Sequence, residues 1–311
     1  MNTFLKFGAS ASILAAFAVL SNGAQAATGC TIAGAVTSGD LYTNDELRVS
    51  GSGHADDDWN ALFGEGAAVT TCDVWNFQGD FAYYDFQTEI KLTSPPFGNK
   101  NFDTPQGHFG GAVFWRDPTA GDFGVAASRV DQELFTKNND YYRFGAFGDF
   151  FLNDQVTLGA GAHYFANVDD FVVGKKDHDG FELSAGAKFY ATPDLKFSLD
   201  GELMLGQVAV STSPKFDLNG FAITGQADYR FMDDGLSGFV GARYAERTLD
   251  LGGGSSKVSL DDMQVFAGLS YAFGGDKSSL ASQDRTGPVN NTSTFFEKLP
   301  GFLNAAIAND P

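Results

Sequence analysis

Histidines, acidic clusters and one serine are the first residues of this sequence to test for chemistry. No pair of the four histidines has the spacing of zinc ligands. Ser270 lies in the stretch GLSYA, which approaches the pattern of a hydrolase nucleophile elbow. That motif needs a strand, a sharp turn and a helix, whereas Ser270 lies in the middle of an alternating extended stretch. The sequence therefore predicts no catalytic residue, no metal site and no cofactor.

Acidic clusters are the next candidates for binding. They occur at Asp56 to Asp58, at Asp169 and Asp170, and around His178. Carboxylate oxygens suit divalent cations, but none of these spacings matches a calcium-binding loop. Solvated acidic loops are the favoured interpretation of all three.

A further set of charged residues recurs at every second position of alternating stretches. In residues 181–191, for example, Glu182 and Lys188 fall on the face opposite Phe181, Leu183 and Phe189. If these stretches are strands of a barrel with the apolar face outward, six acids and six bases face its interior. They then either pair with one another or form a constriction that sorts small polar solutes. The predicted lumen-lining residues are Asp80, Arg116, Arg143, Asp149, Glu182, Lys188, Lys196, Asp200, Glu202, Asp228, Arg230 and Arg243.

The elements that would position these residues are strands. From Leu47 onward, segments of roughly ten residues alternate with a period of two, which is the length of a tilted membrane strand. Short turns are predicted at 71–74, 117–122, 152–154, 192–194 and 232–236, and they alternate with longer loops at 53–58, 87–105, 133–140, 167–180, 208–215 and 249–257. This alternation is typical of an up-and-down antiparallel transmembrane barrel. The count is about twelve strands, with ten as the alternative because the first two are weak.

The chain begins with features of export. Lys6, an apolar run from Ala9 to Leu20 and the small residues up to Ala26 predict a signal peptide over residues 1–26. No later apolar run is long enough for a transmembrane helix. In an exported chain, Cys30 and Cys72 are expected to form a disulfide; two separate thiols, or acylation of Cys30, are the alternatives.

Four regions follow from these patterns: the signal peptide, a periplasmic N-terminal segment over 27–46, the barrel over 47–273, and a tail over 274–311. The tail begins with small polar residues, which are typical of a flexible linker. Apolar residues from Phe295 to Ala306 then recur at helical spacing and predict a short amphipathic helix. This segment is expected either to plug the barrel mouth or to dock elsewhere in the periplasm.

Composition supports an all-β fold and excludes one class of partner. The chain has 38 Gly, 31 Phe and 10 Tyr beside only 4 Met, and aromatic residues fit a pleated surface. The formal net charge of −19 would repel the phosphates of nucleic acid.

The stretch Val265 to Phe273 resembles the C-terminal assembly signal of outer-membrane β-barrels of Gram-negative bacteria, with Phe273 as the terminal aromatic residue. The stretches WNFQGDFAYY, YRFGAFGDFF, VTLGAGAHYF and FVGARY resemble strands of porin-like proteins of this family. The resemblance implies a location in the cell outer membrane, with outer-membrane lipid and the barrel-assembly machinery as partners. A homo-oligomer is compatible with it.

The predicted function is that of a porin-like channel for passive diffusion of small hydrophilic solutes. The alternative is a non-conducting barrel used as a surface, adhesion or structural scaffold. A lipid-modifying outer-membrane enzyme is a third hypothesis, which rests on analogy of fold alone.

Overall fold

The structure, a computed structural model, describes residues 29–49, 53–90, 100–134, 137–138, 141–167, 178–208, 216–250 and 257–289. The predicted signal peptide and the segment from Phe295 to Ala308 lie outside these residues, as do Asp169 and Asp170.

Strands dominate the described residues. They are β1 (Cys30–Val49), β2 (Gly53–Cys72), β3 (Trp75–Ile90), β4 (Lys100–Asp117), β5 (Gly121–Leu134), β6 (Lys137–Asn138), β7 (Tyr141–Asn153), β8 (Val156–Asn167), β9 (His178–Thr192), β10 (Leu195–Val208), β11 (Phe216–Arg230), β12 (Leu236–Asp250) and β13 (Lys257–Gly274). β6 has two residues and pairs only with the end of β5. The other twelve strands build the wall.

The wall closes on itself. Each of the twelve strands pairs antiparallel with its neighbours in chain order, and β13 returns to β1 with Gly274 opposite Ala33 and Val258 opposite Val49. Closure leaves no row of unpaired backbone groups along these strands, which a hydrocarbon environment requires. The fold is therefore the predicted twelve-stranded antiparallel barrel.

The outer face of the wall is apolar. Phe109, Phe123, Phe150 and Leu199 are each at least 60% exposed, and each is next in sequence to a polar residue of the inner face. Such a surface is unfavourable in water and is what lipid requires. Exposed aromatic residues lie near both ends of the strands, as an interfacial girdle does, and they include Trp75, Tyr229, Tyr142 and Tyr164. The molecule therefore has the structure of a transmembrane β-barrel.

The N-terminal boundary of the barrel differs from the prediction. Residues 27–46 were expected in the periplasm, but β1 begins at Cys30. The expected loop at 53–58 belongs to β2, so the cluster from Asp56 to Asp58 lies in a strand. β1 is rich in small residues, and Gly34 and Gly39 leave room for the rings of Phe273 and Phe63. The position of β1 is fixed by its pairing with β2 and β13, and not by an alternation of apolar and polar residues in its own sequence.

The five short turns were predicted correctly. They connect β2 to β3, β4 to β5, β7 to β8, β9 to β10 and β11 to β12, and they share one end of the barrel with Cys30 and Gly274. Short turns mark the periplasmic end in this class of barrel. Cys30 and Cys72 are directly opposite in the register of β1 and β2 and form the expected disulfide, with their Cα atoms 4.4 Å apart.

The chain turns back into the barrel after the last strand. Gly274 and Gly275 both have positive φ, 65° and 57°, a conformation that glycine adopts without strain. A short helix, α1 (Leu280–Thr286), follows and is capped at its N-terminus by Ser279. This part of the tail is not the flexible linker that its composition predicts, because α1 is ordered and several of its polar side chains, such as Asp284 and Arg285, contact the barrel wall. Within the described residues, no helix is long and apolar enough to cross a membrane.

Candidate functional site

The inner face of the wall carries all twelve charged residues that were predicted to line a lumen. Seven are buried: Asp80, Arg116, Arg143, Glu182, Asp228, Arg230 and Arg243. Five are partly exposed within the barrel: Asp149, Lys188, Lys196, Asp200 and Glu202. They divide into a group at the periplasmic mouth and a group near the middle of the wall.

Asp284, in α1, is the centre of the mouth group. Its Oδ2 accepts a hydrogen bond from the hydroxyl of Tyr190 at 2.8 Å and one from Nζ of Lys196 at 3.2 Å. Nζ of Lys188 lies 4.0 Å from the same oxygen. We call Tyr190, Lys188 and Lys196 the carboxylate cage.

The charge state of Asp284 follows from this cage. Burial disfavours the ionised carboxylate, but the positive charges of Lys196 and Lys188 and the hydrogen bond from Tyr190 outweigh burial. The pKa of Asp284 is therefore below its ordinary value, and the carboxylate is ionised at neutral pH.

The two lysines also have partners on the wall. Nζ of Lys188 is 3.6 Å from Oδ2 of Asp149, and Nζ of Lys196 is 3.7 Å from Oδ2 of Asp228. These partners are on strands β7 and β11, on either side of the β9 and β10 strands that carry the cage. The wall therefore holds both ammonium groups independently of the tail.

Backbone groups of the tail make a second set of contacts with the wall. The side chain of Gln78 donates to the carbonyl of Val289 at 2.9 Å and accepts from its N–H at 2.8 Å. Arg116 donates to the carbonyl of Gly287 at 2.6 Å, and Arg230 donates to that of Lys277. Nothing in the sequence around Gln78, Arg116 or Arg230 indicates that these side chains would dock the tail.

Apolar contacts contribute little to this docking. Leu280 is the buried residue of α1, and Val289 joins a small cluster with Ala33, Val69 and Phe114. The other contacts described above are ion pairs and hydrogen bonds. The tail is therefore docked mainly by polar contacts.

A polar cavity of about 100 Å³ lies between α1 and the wall. Asp228 and Gln283 line it, and each has a buried side-chain atom, Oδ2 and Nε2, without a hydrogen-bond partner. A polar cavity of this size can hold several water molecules. The docked tail is thus not a close-packed seal.

The group in the middle of the wall consists of ion pairs. Arg143 donates from Nε to Oε2 of Glu182 at 2.6 Å and lies 3.2 Å from Nδ1 of His163. Nη2 of Arg243 donates to Oε2 of Glu202, also at 2.6 Å. His163 is buried in the interior beside this pair.

His108 and Asp80 form a further buried pair, with Nε2 and Oδ2 2.7 Å apart. These two residues and Ser128 line a cavity of about 10 Å³, which has room for roughly one water molecule. The three residue types match those of a hydrolase triad, but this cavity is too small for an acyl or lipid substrate. We interpret them as a structural polar network.

Several residues of the site were not predicted from the sequence, among them Asp122 and Asp284. Asp122 pairs with Arg116, whose Nη2 lies 3.3 Å from its Oδ2, but Asp122 fell within a predicted turn. Asp284 fell within the predicted linker. Asp284 lies outside the alternating strands. Asp122 follows the alternation of β5, but the turn was predicted to extend as far as Asp122, whereas β5 begins at Gly121.

Comparisons with known proteins agree with the fold. No protein-family model matches the chain, and no curated protein sequence matches it significantly. An outer-membrane channel from Pseudomonas putida F1 has a similar structure, with a TM-score of 0.55, 10% sequence identity, and coverage of 80% of this chain and 97% of that one. The toluene transporter TodX of Pseudomonas putida gives a TM-score of 0.45 at 11% identity, covering 81% and 91% of the two chains. The closed wall, its apolar exterior and the first of these likenesses together identify the chain as a β-barrel of the outer-membrane type.

Proposed function

We propose that the protein is a porin-like channel through which small hydrophilic solutes diffuse across the outer membrane, and that residues 275–289 close its periplasmic mouth. The polar character of the closure is the observation that carries this proposal. A barrel that serves only as a scaffold can be filled with apolar side chains, which stabilise it without unpaired polar groups. Here the tail is held by Asp284, Gln78, Arg116 and Arg230, whose contacts water and ions can replace.

The charged inner face supports the same proposal. Opposed pairs such as Arg143 with Glu182 and Arg243 with Glu202 place both signs of charge along the interior. In a water-filled channel such pairs set preferences for the size and charge of a solute. Twelve strands give a barrel of intermediate width, so these side chains would occupy much of the cross-section.

A non-conducting scaffold is the second candidate, and the packing of the middle group favours it. The side chains of Arg143 and Glu182 are 5% and 7% exposed, so this pair fills the wall's interior rather than bordering open solvent. Conduction past such a pair requires the side chains to move. Conductance measurements therefore separate the two candidates.

The test uses three forms of the protein in planar bilayers: the full chain, a chain ending at Gly274, and a chain ending at Val289. The shortest form lacks the docked tail, whereas the form ending at Val289 keeps it and serves as the matched control. We expect discrete openings that are more frequent or larger in the form ending at Gly274, and similar behaviour of the other two.

Two outcomes contradict the proposal. If all three forms assemble into heat-modifiable barrels but none gives discrete openings, the protein is a scaffold. If all three conduct equally, residues 275–289 do not close the mouth.

A further inference from the structure

The carboxylate cage has the features of a built binding site. Tyr190 and Lys188 come from β9 and Lys196 from β10, so three donors on neighbouring strands converge on one oxygen of Asp284. Tyr190 is buried, which fixes the direction of its hydroxyl. All three donors belong to the wall, and only the carboxylate belongs to the tail.

The cage is expected to persist when the tail leaves. Asp149 and Asp228 remain within 3.6 and 3.7 Å of the two ammonium groups, so Lys188 and Lys196 keep a partner each. The side chain of Asp284 is 24% exposed, and it lines the cavity of about 100 Å³ between α1 and the wall. A solute that reaches the mouth can therefore approach the cage.

We infer that the carboxylate cage binds small monocarboxylate anions, that Asp284 is its built-in occupant, and that such an anion opens the periplasmic mouth by displacing the tail. The inference rests on the proposed channel function and names a class of solute for it.

The charges favour a monoanion over a phosphate or a dicarboxylate. Two lysines face two wall carboxylates, and the cage accommodates one further negative charge, that of Asp284. A second negative charge on the same ligand would approach Asp149 or Asp228, the carboxylates that already pair with the two ammonium groups.

Competition with a tethered occupant requires a high ligand concentration. A tail joined to the wall by a short segment has an effective concentration of roughly millimolar or more. Formate at roughly tens to hundreds of millimolar is therefore the suitable probe, with sodium chloride of equal ionic strength as the control for screening.

Tryptic cleavage after Arg285 measures release of the tail without any need for conduction. The side chain of Arg285 is 12% exposed, and its guanidinium donates to the carbonyl of Asn153 and lies over the ring of Phe151. Docking therefore protects this site. The measurement uses the full chain in detergent micelles, mass spectrometry of the released fragment, and a reporter peptide that controls for trypsin activity.

Formate should have opposite effects on two proteins. In the natural protein it competes with Asp284, and we expect cleavage to become roughly threefold faster or more by mass action. The variant Asp284→Ala lacks only the carboxylate, so its tail is cleaved faster from the start. Formate then fills the vacated site and should slow cleavage.

Asp276→Ala is the matched control, because it removes the same charge from the exposed start of the tail and not from the cage. It should respond to formate as the natural protein does. The inference is wrong if formate acts no differently from chloride on the natural protein, or if it changes cleavage of Asp284→Ala in the same direction as in the natural protein.

Conductance separates this inference from the proposed function. If formate has the two opposite effects on cleavage but no form of the protein conducts, the cage binds carboxylates and the channel proposal fails. If the form ending at Gly274 conducts and formate has no specific effect on cleavage, the channel proposal stands and the carboxylate site does not.

Discussion

Nζ of Lys196, on strand β10, lies 3.2 Å from Oδ2 of Asp284, on the helix that follows the last strand. This contact joins the wall of the barrel to a segment that is 88 residues further along the chain. It makes the tail part of the barrel interior, and it gives the mouth a dependence on charge that can be measured.

Acid pH should release the tail. The pKa of Asp284 is lower in the folded protein than its ordinary value of about 3.9. The carboxylate therefore stabilises the docked tail fully above that ordinary value, and the contribution disappears as the pH falls through the lower, folded value. We expect the mouth to stay closed from neutral pH to about pH 4 and to open at more acidic pH.

Open probability in planar bilayers as a function of pH checks this expectation. Asp284→Asn keeps the shape of the side chain without its charge, so this variant should be open already at neutral pH. A mouth that opens between pH 5 and 7 in the natural protein would point to a different titrating group.

Removal of one partner of the buried Arg143 and Glu182 pair should destabilise the barrel. Glu182→Gln removes a charged partner that lies 2.6 Å from the buried guanidinium of Arg143, and it should cost up to about 3–5 kcal/mol. Replacement of both residues, as Arg143→Met with Glu182→Leu, also removes the buried positive charge and should cost less. Unfolding by urea in lipid vesicles, followed by the band shift on gels, measures the difference. Equal loss in the single and double variants would contradict this account.

Removal of interior charges of opposite sign should shift ion selectivity in opposite directions. Asp200→Asn combined with Glu202→Gln leaves Arg243 with reduced compensation and should favour anions. Arg243→Gln should favour cations for the same reason. Reversal potentials in a salt gradient provide the measurement, in the form of the protein that ends at Gly274. Unchanged potentials in both variants would mean that these residues do not line the pathway.

The disulfide between Cys30 and Cys72 should stabilise the barrel without being needed for its assembly. The bridge spans 42 positions of sequence, for which the chain-entropy model gives about 4 kcal/mol. Cys30→Ser with Cys72→Ser should lower the urea midpoint, and the reduced natural protein should behave alike. Assembly should continue, because backbone pairing holds β1 between β2 and β13. Loss of the heat-modifiable band in the double variant would show that assembly requires the bridge.

Much of the wall could be predicted from the sequence because each strand records its own environment. Lipid on one side and polar groups on the other impose a period of two, as in the stretch with Phe181, Glu182 and Leu183. The same local pattern placed Arg143, Lys188 and Arg243 on the inner face. Most of β1 was not predicted as a strand, because Gly34 and Gly39 have no side chains that could show the alternation. Pairing with two other strands decides its position.

The sequence by itself determined the strands, the short turns and the faces of the wall, since these depend on residues close together along the chain. Only the tertiary structure decided that β1 pairs with β13 to close the barrel, and that the tail docks against the wall. Asp284 reads as part of a polar linker until the barrel closes and brings Tyr190, Lys188 and Lys196 around it. A polar composition is equally compatible with contact with water and with contact with another polar surface. In this protein the folded barrel provides the polar surface.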